Sequence, residues 1–260
     1  MLDLPDPDRS QLGKSPLDLV VCQIRFDRRA IISASNKVGF DFQAALQASE
    51  GTRWKMEPIE GPPPVTIVVT TDGPHQISGG DPTNGWRFTS GDGAYVVVLM
   101  SDSIAIETRR YTRWSEFRAT VERAIERVAT SFSPEIELRV GLRYVDRLQS
   151  VDAGQPADWT AHLQPALHGL VGHEVLGVAV LSQQQQIMLD LGAGVGVCRF
   201  AHGTLPTDQG LEYVLDYDLY RQDARPFERT EILAALDAFN TEALKLFQAS
   251  ITPVAAEALR

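Results

Sequence analysis

Two carboxylates raise the first chemical question. Glu107 and Asp216 stand at corresponding places in two strand-then-helix stretches, and a symmetric carboxyl pair can share a proton and do acid–base work. The Asp-Thr-Gly signature of aspartic proteases is absent. Ion pairing, with Arg25 and Arg143 as the partners, is the better use of these groups. His162, His168 and His173 crowd together in sequence, but their spacing fits no single helix face and no Cys or Glu stands at metal-ligand spacing beside them. His75 and His202 read as loop or strand-end residues. The run from Gly192 to Gly196 lacks the Lys-Ser/Thr of a phosphate-cradling loop, and a strand follows where a helix should begin, so it reads as a hairpin turn. No Ser or Cys sits in a nucleophile elbow. The sequence therefore assigns no catalytic residue, no metal ligand and no cofactor, and the expected protein is a non-enzyme.

What remains is surface. If Ile104 and Ile106 on one strand, and Tyr213 and Leu215 on another, face a core, the alternate residues face out. Those are Glu107, Arg109 and Tyr111 in one stretch and Asp216, Asp218 and Tyr220 in the other, joined by Arg25, Arg139 and Arg143 from two further strands. A face bearing Arg, Tyr and carboxylates is suited to a protein partner. The competing reading is a solvated sheet face with weak cross-strand ion pairs.

The elements that would carry these residues follow from periodicity. Val20, Cys22, Ile24 and Phe26 alternate along a strand over residues 19–27. A short helix is predicted over 40–49, and Gly61 with the three prolines after it breaks the chain before a β-branched strand over 65–70. A Gly/Asp/Pro/Asn loop is expected over 72–85. Strands follow at 86–89, 94–100 and 104–111. An amphipathic helix comes next, with Trp114, Phe117, Val121, Ile125 and Val128 on one face. The second half then reads as a strand over 137–148, a helix from about 158 with Leu163, Leu167 and Leu170 inward, and strands at 175–182, 187–191, 195–201 and 211–220. A long helix over 230–249 ends it.

Each half thus reads β-α-β-β-β-β-α. Setting Pro16 on Pro134 lays Val20, Cys22, Ile24 and Phe26 on Leu138, Val140, Leu142 and Tyr144. The expected fold is α+β, an internal duplication with a curved antiparallel sheet backed by two long helices. By element order it is similar to the saddle of the TATA-binding protein or to helix-grip folds, an analogy that does not fix function. The expected organisation is a flexible tail over 1–14, a first α+β repeat over 15–132 and a second over 133–260, forming one structural unit.

Composition narrows the partners. With 24 Lys and Arg against 34 Asp and Glu the chain carries a formal charge of -10, which disfavours a counterion-releasing grip on nucleic acid and attraction to an anionic membrane. Only a local cluster of Arg25, Arg139 and Arg143 with Lys14 and Arg147 would restore a nucleic-acid role. No apolar run approaches the ~20 residues of a membrane span. The polar, acidic start has no signal layout, so the expected compartment is the cytoplasm, with Cys22 and Cys198 as buried, reduced thiols.

Several pieces taken together resemble a sporadically distributed bacterial family of about this length and of uncharacterised function. They are Lys14 to Leu17 ahead of a strand ending Ile24, Arg25, Phe26; Glu107 and Thr108 followed by Tyr111, Trp114 and Phe117; Gly141 to Tyr144; Trp159 before a Leu-rich stretch; and Leu215 to Tyr220 before the last helix. The resemblance spans nearly the whole chain. It implies patchy occurrence, as in toxin–antitoxin and phage-defence genes, and supplies no catalytic residues. The leading expectation is a binding protein that presents its open sheet face to another protein. The alternatives are a pocket for an apolar small molecule between sheet and long helices, and a nucleic-acid accessory role. A monomer and a homodimer are both open.

Overall fold

A computed structural model describes residues 4–10, 12–34, 36–51, 53–60, 65–70, 73–78, 83–150, 153–192, 194–208 and 210–260. The proline breaker at 62–64 and parts of the expected 72–85 loop lie outside the described residues. The chain is α+β, with a large curved antiparallel sheet and helices on one side.

The strands of the large sheet are β1 (Leu17–Phe26), β2 (Trp54–Glu60), β5 (Thr83–Ser90), β6 (Tyr95–Met100), β7 (Ser103–Thr108), β8 (Ile136–Leu148), β9 (Gln184–Asp190), β10 (Val197–Thr207) and β11 (Gly210–Arg221), with a short β12 (Arg225–Pro226) on β8. β3 (Val65–Thr70) and β4 (Gly73–Ser78) form a separate two-stranded ribbon. The spatial order is β2-β5-β6-β7-β1-β8-β11-β10-β9. β1 and β8, the first strands of the two halves, lie side by side at the centre, and later strands run outward from each.

Period-2 alternation turns every second residue of a strand to the core, and pairing aligns these residues in rows. Reading across the sheet, Met56, Phe88, Val97, Ile106, Cys22, Leu142, Leu219, Cys198 and Leu189 stand in one register row. Most of these side chains are fully buried. The row is covered by α1 (Ile31–Ala34), α2 (Asn36–Glu50), α3 (Trp114–Phe132), α4 (Arg229–Ser250) and α5 (Pro253–Ala258). In α3 the predicted stripe of Phe117, Val121, Ile125 and Val128 is buried. The helix stops at Ser133, whose φ of 46° is left-handed and whose N–H closes on the Ala129 carbonyl. Asp237 of α4 ties the two long helices by accepting from Trp114 Nε1 at 2.7 Å and from Arg118 Nε at 2.9 Å. Residues 4–10 and 12–14 run along the helix layer, where Asp8 N donates to Gln248 and Lys14 N to the Leu259 carbonyl.

The structure departs from the sequence reading in the second half. No α-helix starts near residue 158 and no strand forms over 175–182. The chain instead makes four 3-10 turns, Pro156–Ala161, Pro165–Leu167, Gly169–Gly172 and Gly177–Ala179. Pro165 and three glycines interrupt the Leu-rich pattern, and Gly169 sits at φ 53°, where an L side chain is strained. The second half also lacks a strand outside β9, whereas β2 lies outside β5. In the first half, β2 arises where no strand was expected and β4 occupies part of the expected loop. A register shift between Arg25 and Phe26 puts Glu137 opposite Phe26 and leaves Leu138 exposed rather than inward.

Candidate functional site

Among the described residues no element covers the side of the sheet away from the helices, and most of its side chains are half-buried or exposed. Its rows follow from the same registers. One is Glu57, Arg87, Val98, Ala105, Gln23, Gly141, Tyr220, Val197 and Asp190; the next is Lys55, Thr89, Val96, Glu107, Val21, Arg143, Asp218, Arg199 and Met188. The face therefore has two parts. Val21, Val96, Val98 and Ala105 make a half-buried apolar strip over β6, β7 and β1, and β8, β11 and β10 carry a dense charged array.

Three arginines on β8, at spacings of four, share the open face because four residues is two full periods of a strand. Each is matched by a carboxylate on β11. Arg143 holds Asp216 with two bonds of 2.7 Å, Nε and Nη2 each to one oxygen. Arg147 Nε donates to Glu212 at 2.7 Å. Arg139 Nη2 donates to Asp218 at 3.0 Å, Nη1 to Gln23 at 2.8 Å, and the guanidinium stacks 4.6 Å over the Tyr220 ring. Arg199 of β10 lies 3.9 Å from Asp216 and 3.7 Å from Asp218. The bidentate bond to Asp216 and the neighbouring Asp218 raise the pKa of Arg143 above its ordinary value.

Gly141 makes the Arg139 posture possible. A Cβ on Gly141 would meet Arg139 Nη1 at 2.5 Å, so the guanidinium lies where a side chain would stand. Gly141→Ala should push it off Tyr220 and Asp218 and lower stability by about 1 kcal/mol, the scale of one hydrogen bond. Denaturant melts check this, and an unchanged midpoint would show that the guanidinium has somewhere equally good to go.

The predicted residues are only partly brought together. Arg139, Arg143, Asp216, Asp218 and Tyr220 form the array just described. Arg25 is on the open face but pairs with Asp102 at 3.6 Å, not with Glu107, and among the described residues Glu107 pairs only with Arg87, at 3.9 Å. Glu107 and Asp216 do not meet. β1 and β8 lie between their strands, a separation of about 14 Å at the usual strand spacing. No carboxyl dyad exists. Arg109 and Tyr111 fall beyond the end of β7. Arg109 pairs with Asp18 at 2.6 Å, while Tyr111 turns to the helix-covered side and packs on Phe117 and edge-on to Tyr144. The strand ends at Thr108, so its alternation cannot be carried to residue 111.

Sequence reasoning passed over Asp146. It is buried on the helix-covered side of β8, between Leu17 and Leu215 in register, and burial lifts its carboxyl to about 7. Parity along Leu142, Tyr144, Asp146 and Leu148 was a signal that could have found it. His202 was also misplaced as a strand-end residue. It lies inside β10, stacked on Phe200, with Nδ1 2.7 Å from the Tyr213 hydroxyl, and burial lowers its pKa. Burial pushes the thiols of Cys22 and Cys198 up to about 12, which leaves them unreactive.

A cavity of about 700 Å³ lies at the end of the sheet under α5, rather than between the sheet and the long helices. Trp159, Leu148, Leu211 and Leu259 form its apolar walls, and Lys14 and the Arg147–Glu212 ion pair also line it. Among the described residues no group of His, Cys, Asp or Glu could hold a metal ion, and no helix is long and apolar enough to cross a membrane. No family model matches the chain, and no curated protein matches it.

Proposed function

We propose that this is a non-catalytic binding protein that docks a protein partner on the open sheet face. The observation that carries the reading is the join of a half-buried apolar strip, Val21, Val96 and Val98, to an array of arginines and carboxylates already fixed by ion pairs. A pre-ordered charged surface loses little side-chain freedom on binding, and its apolar neighbour supplies the burial that affinity needs. Glu107 lies within the apolar strip between Val96 and Val21, Arg25 stands opposite Arg139, and Tyr220 lies under the Arg139 guanidinium. The same face argues against nucleic acid: Arg139, Arg143 and Arg147 are each neutralised by a carboxylate, so the row they form is not a positive patch. Duplication of an ancestral half, giving a saddle like that of the TATA-binding protein, fits the central placement of β1 and β8. A toxin–antitoxin or phage-defence setting is the context the family resemblance suggests.

Val98→Glu with Arg25→Glu should abolish capture of the partner from lysate of the native host, read by mass spectrometry, with the thermal melt unchanged. These positions are preferable to Arg143, whose removal would leave Asp216 short of its main partner. Undiminished capture of the same partner would overturn the assignment of this face.

A second reading has its own observation, the cavity under α5. Its apolar walls, with the Lys14 ammonium beside the paired Arg147 and Glu212, fit a small amphipathic molecule with an anionic head. Thermal melts with decanoate and with decanol separate the cases, since only the acid should raise the melting temperature, and Ala258→Trp should remove the shift.

A further inference from the structure

The two edges of the sheet differ. β2 is defended by Lys55, Glu57, Pro58 and Glu60, the charges and proline that keep edge strands from pairing. β9 reads Gln184, Gln185, Gln186, Ile187, Met188, Leu189, Asp190, with one charge and no proline. It is a terminal strand, and among the described residues no other element bonds to the backbone on its outer side. By position β9 corresponds to β5, which does have an outer neighbour.

The same corner carries several exposed large apolar residues. Leu170, Val175, Leu176, Val178 and Leu181 protrude from the 3-10 segment, with Leu181 90% and Val178 72% exposed. That segment lies against β9: Gln183 Nε2 donates to the Leu167 carbonyl, and Gly169 abuts the Gln185 side chain. Ile187 and Met188 of β9 are exposed as well. Exposed apolar side chains beside an unpaired edge mark an association site.

We propose that β9 pairs antiparallel with β9 of a second copy, about a two-fold axis at Ile187, with the apolar 3-10 segment completing the contact. The low charge of β9 and its self-complementary register suit a second copy. Two copies each carrying -10 repel, and self-association needs a place almost free of charge. The axis at Ile187 sets Asp190 opposite Gln184 of the second copy, Gln185 opposite Leu189 and Gln186 opposite Met188, so no like charges meet. Parity is kept, so the open faces of the two sheets become one continuous face.

Analytical ultracentrifugation of the full chain at tens of micromolar tests this. The wild type should sediment at twice the 28.6 kDa of the chain. Leu181→Lys with Met188→Lys should halve that mass while the circular dichroism spectrum is unchanged, and Arg25→Glu on the open face should keep the dimer. A monomeric wild type, a dimer indifferent to the double variant, or a dimer broken by Arg25→Glu would each overturn the proposal.

Discussion

Asp146→Asn is expected to stabilise the protein above neutral pH and to remove a loss of stability that the wild type shows as pH rises from about 4 to 7. Asp146 is buried, and among the described residues it makes no hydrogen bond or ion pair. Its carboxyl sits at about 7 against an ordinary 3.8 because burial penalises the charged form. Between those values the folded state holds a proton that the unfolded chain has released. Stability from this group is therefore full below the unfolded value and falls as pH climbs to the folded value. A displacement of about three units corresponds to ~4 kcal/mol at pH 8, at ~1.4 kcal/mol per unit. His202 works in the opposite direction. Burial lowers its pKa, so it contributes stability above its unfolded value and loses it on acidification. The difference between wild type and Asp146→Asn, measured by denaturant melts across this range, isolates the carboxyl. A difference that does not change with pH would show that Asp146 is already neutral at pH 8 or already solvated.

Much of the sheet was legible because strands with one buried face write their period into the sequence. Val20, Cys22, Ile24 and Phe26 fix β1, and Tyr213, Leu215, Tyr217 and Leu219 fix β11, with the residues between them turned outward. The arginine array followed from the same parity. What parity cannot give is which outward residues touch. That depends on register between strands far apart in sequence, and it set Arg143 against Asp216 while leaving Glu107 two strands from Arg143. The 156–182 segment failed for a different reason. Its apolar residues have near-helical spacing, but Pro165 lacks the amide donor a helix needs and the glycines at 169, 172 and 177 make helical backbone entropically costly. The exposed Leu and Val residues there look like core residues to any pattern, and only the fold shows that nothing described covers them. Misreading 175–182 as a strand also hid β9 as an undefended edge.

Glu137→Ala should be among the most damaging single changes, at about 3–5 kcal/mol, because it leaves a buried guanidinium without its counter-charge. The Glu137 side chain is 1% exposed and that of Arg221 is 7%, with Nη2 2.5 Å from the carboxylate. The register shift beside Phe26 turns Glu137 away from the open face, where its neighbours Arg139 and Gly141 point, and toward the helix side. The pair is incompletely satisfied, since Glu137 Oε2 and Arg221 Nε have no hydrogen-bond partner. Desolvation therefore dominates, and it raises the Glu137 pKa even against the nearby Arg221. A pair held this way need not stabilise relative to apolar side chains of similar volume, so Glu137→Met with Arg221→Met is expected to lie within about 1–2 kcal/mol of the wild type or above it. The two single variants and the double close a thermodynamic cycle in denaturant melts. A large coupling with a healthy double variant would mean that the ion pair secures the β8–β11 register rather than net stability. A double variant as unstable as the singles would mean that the charges themselves stabilise the fold, which would overturn the expectation.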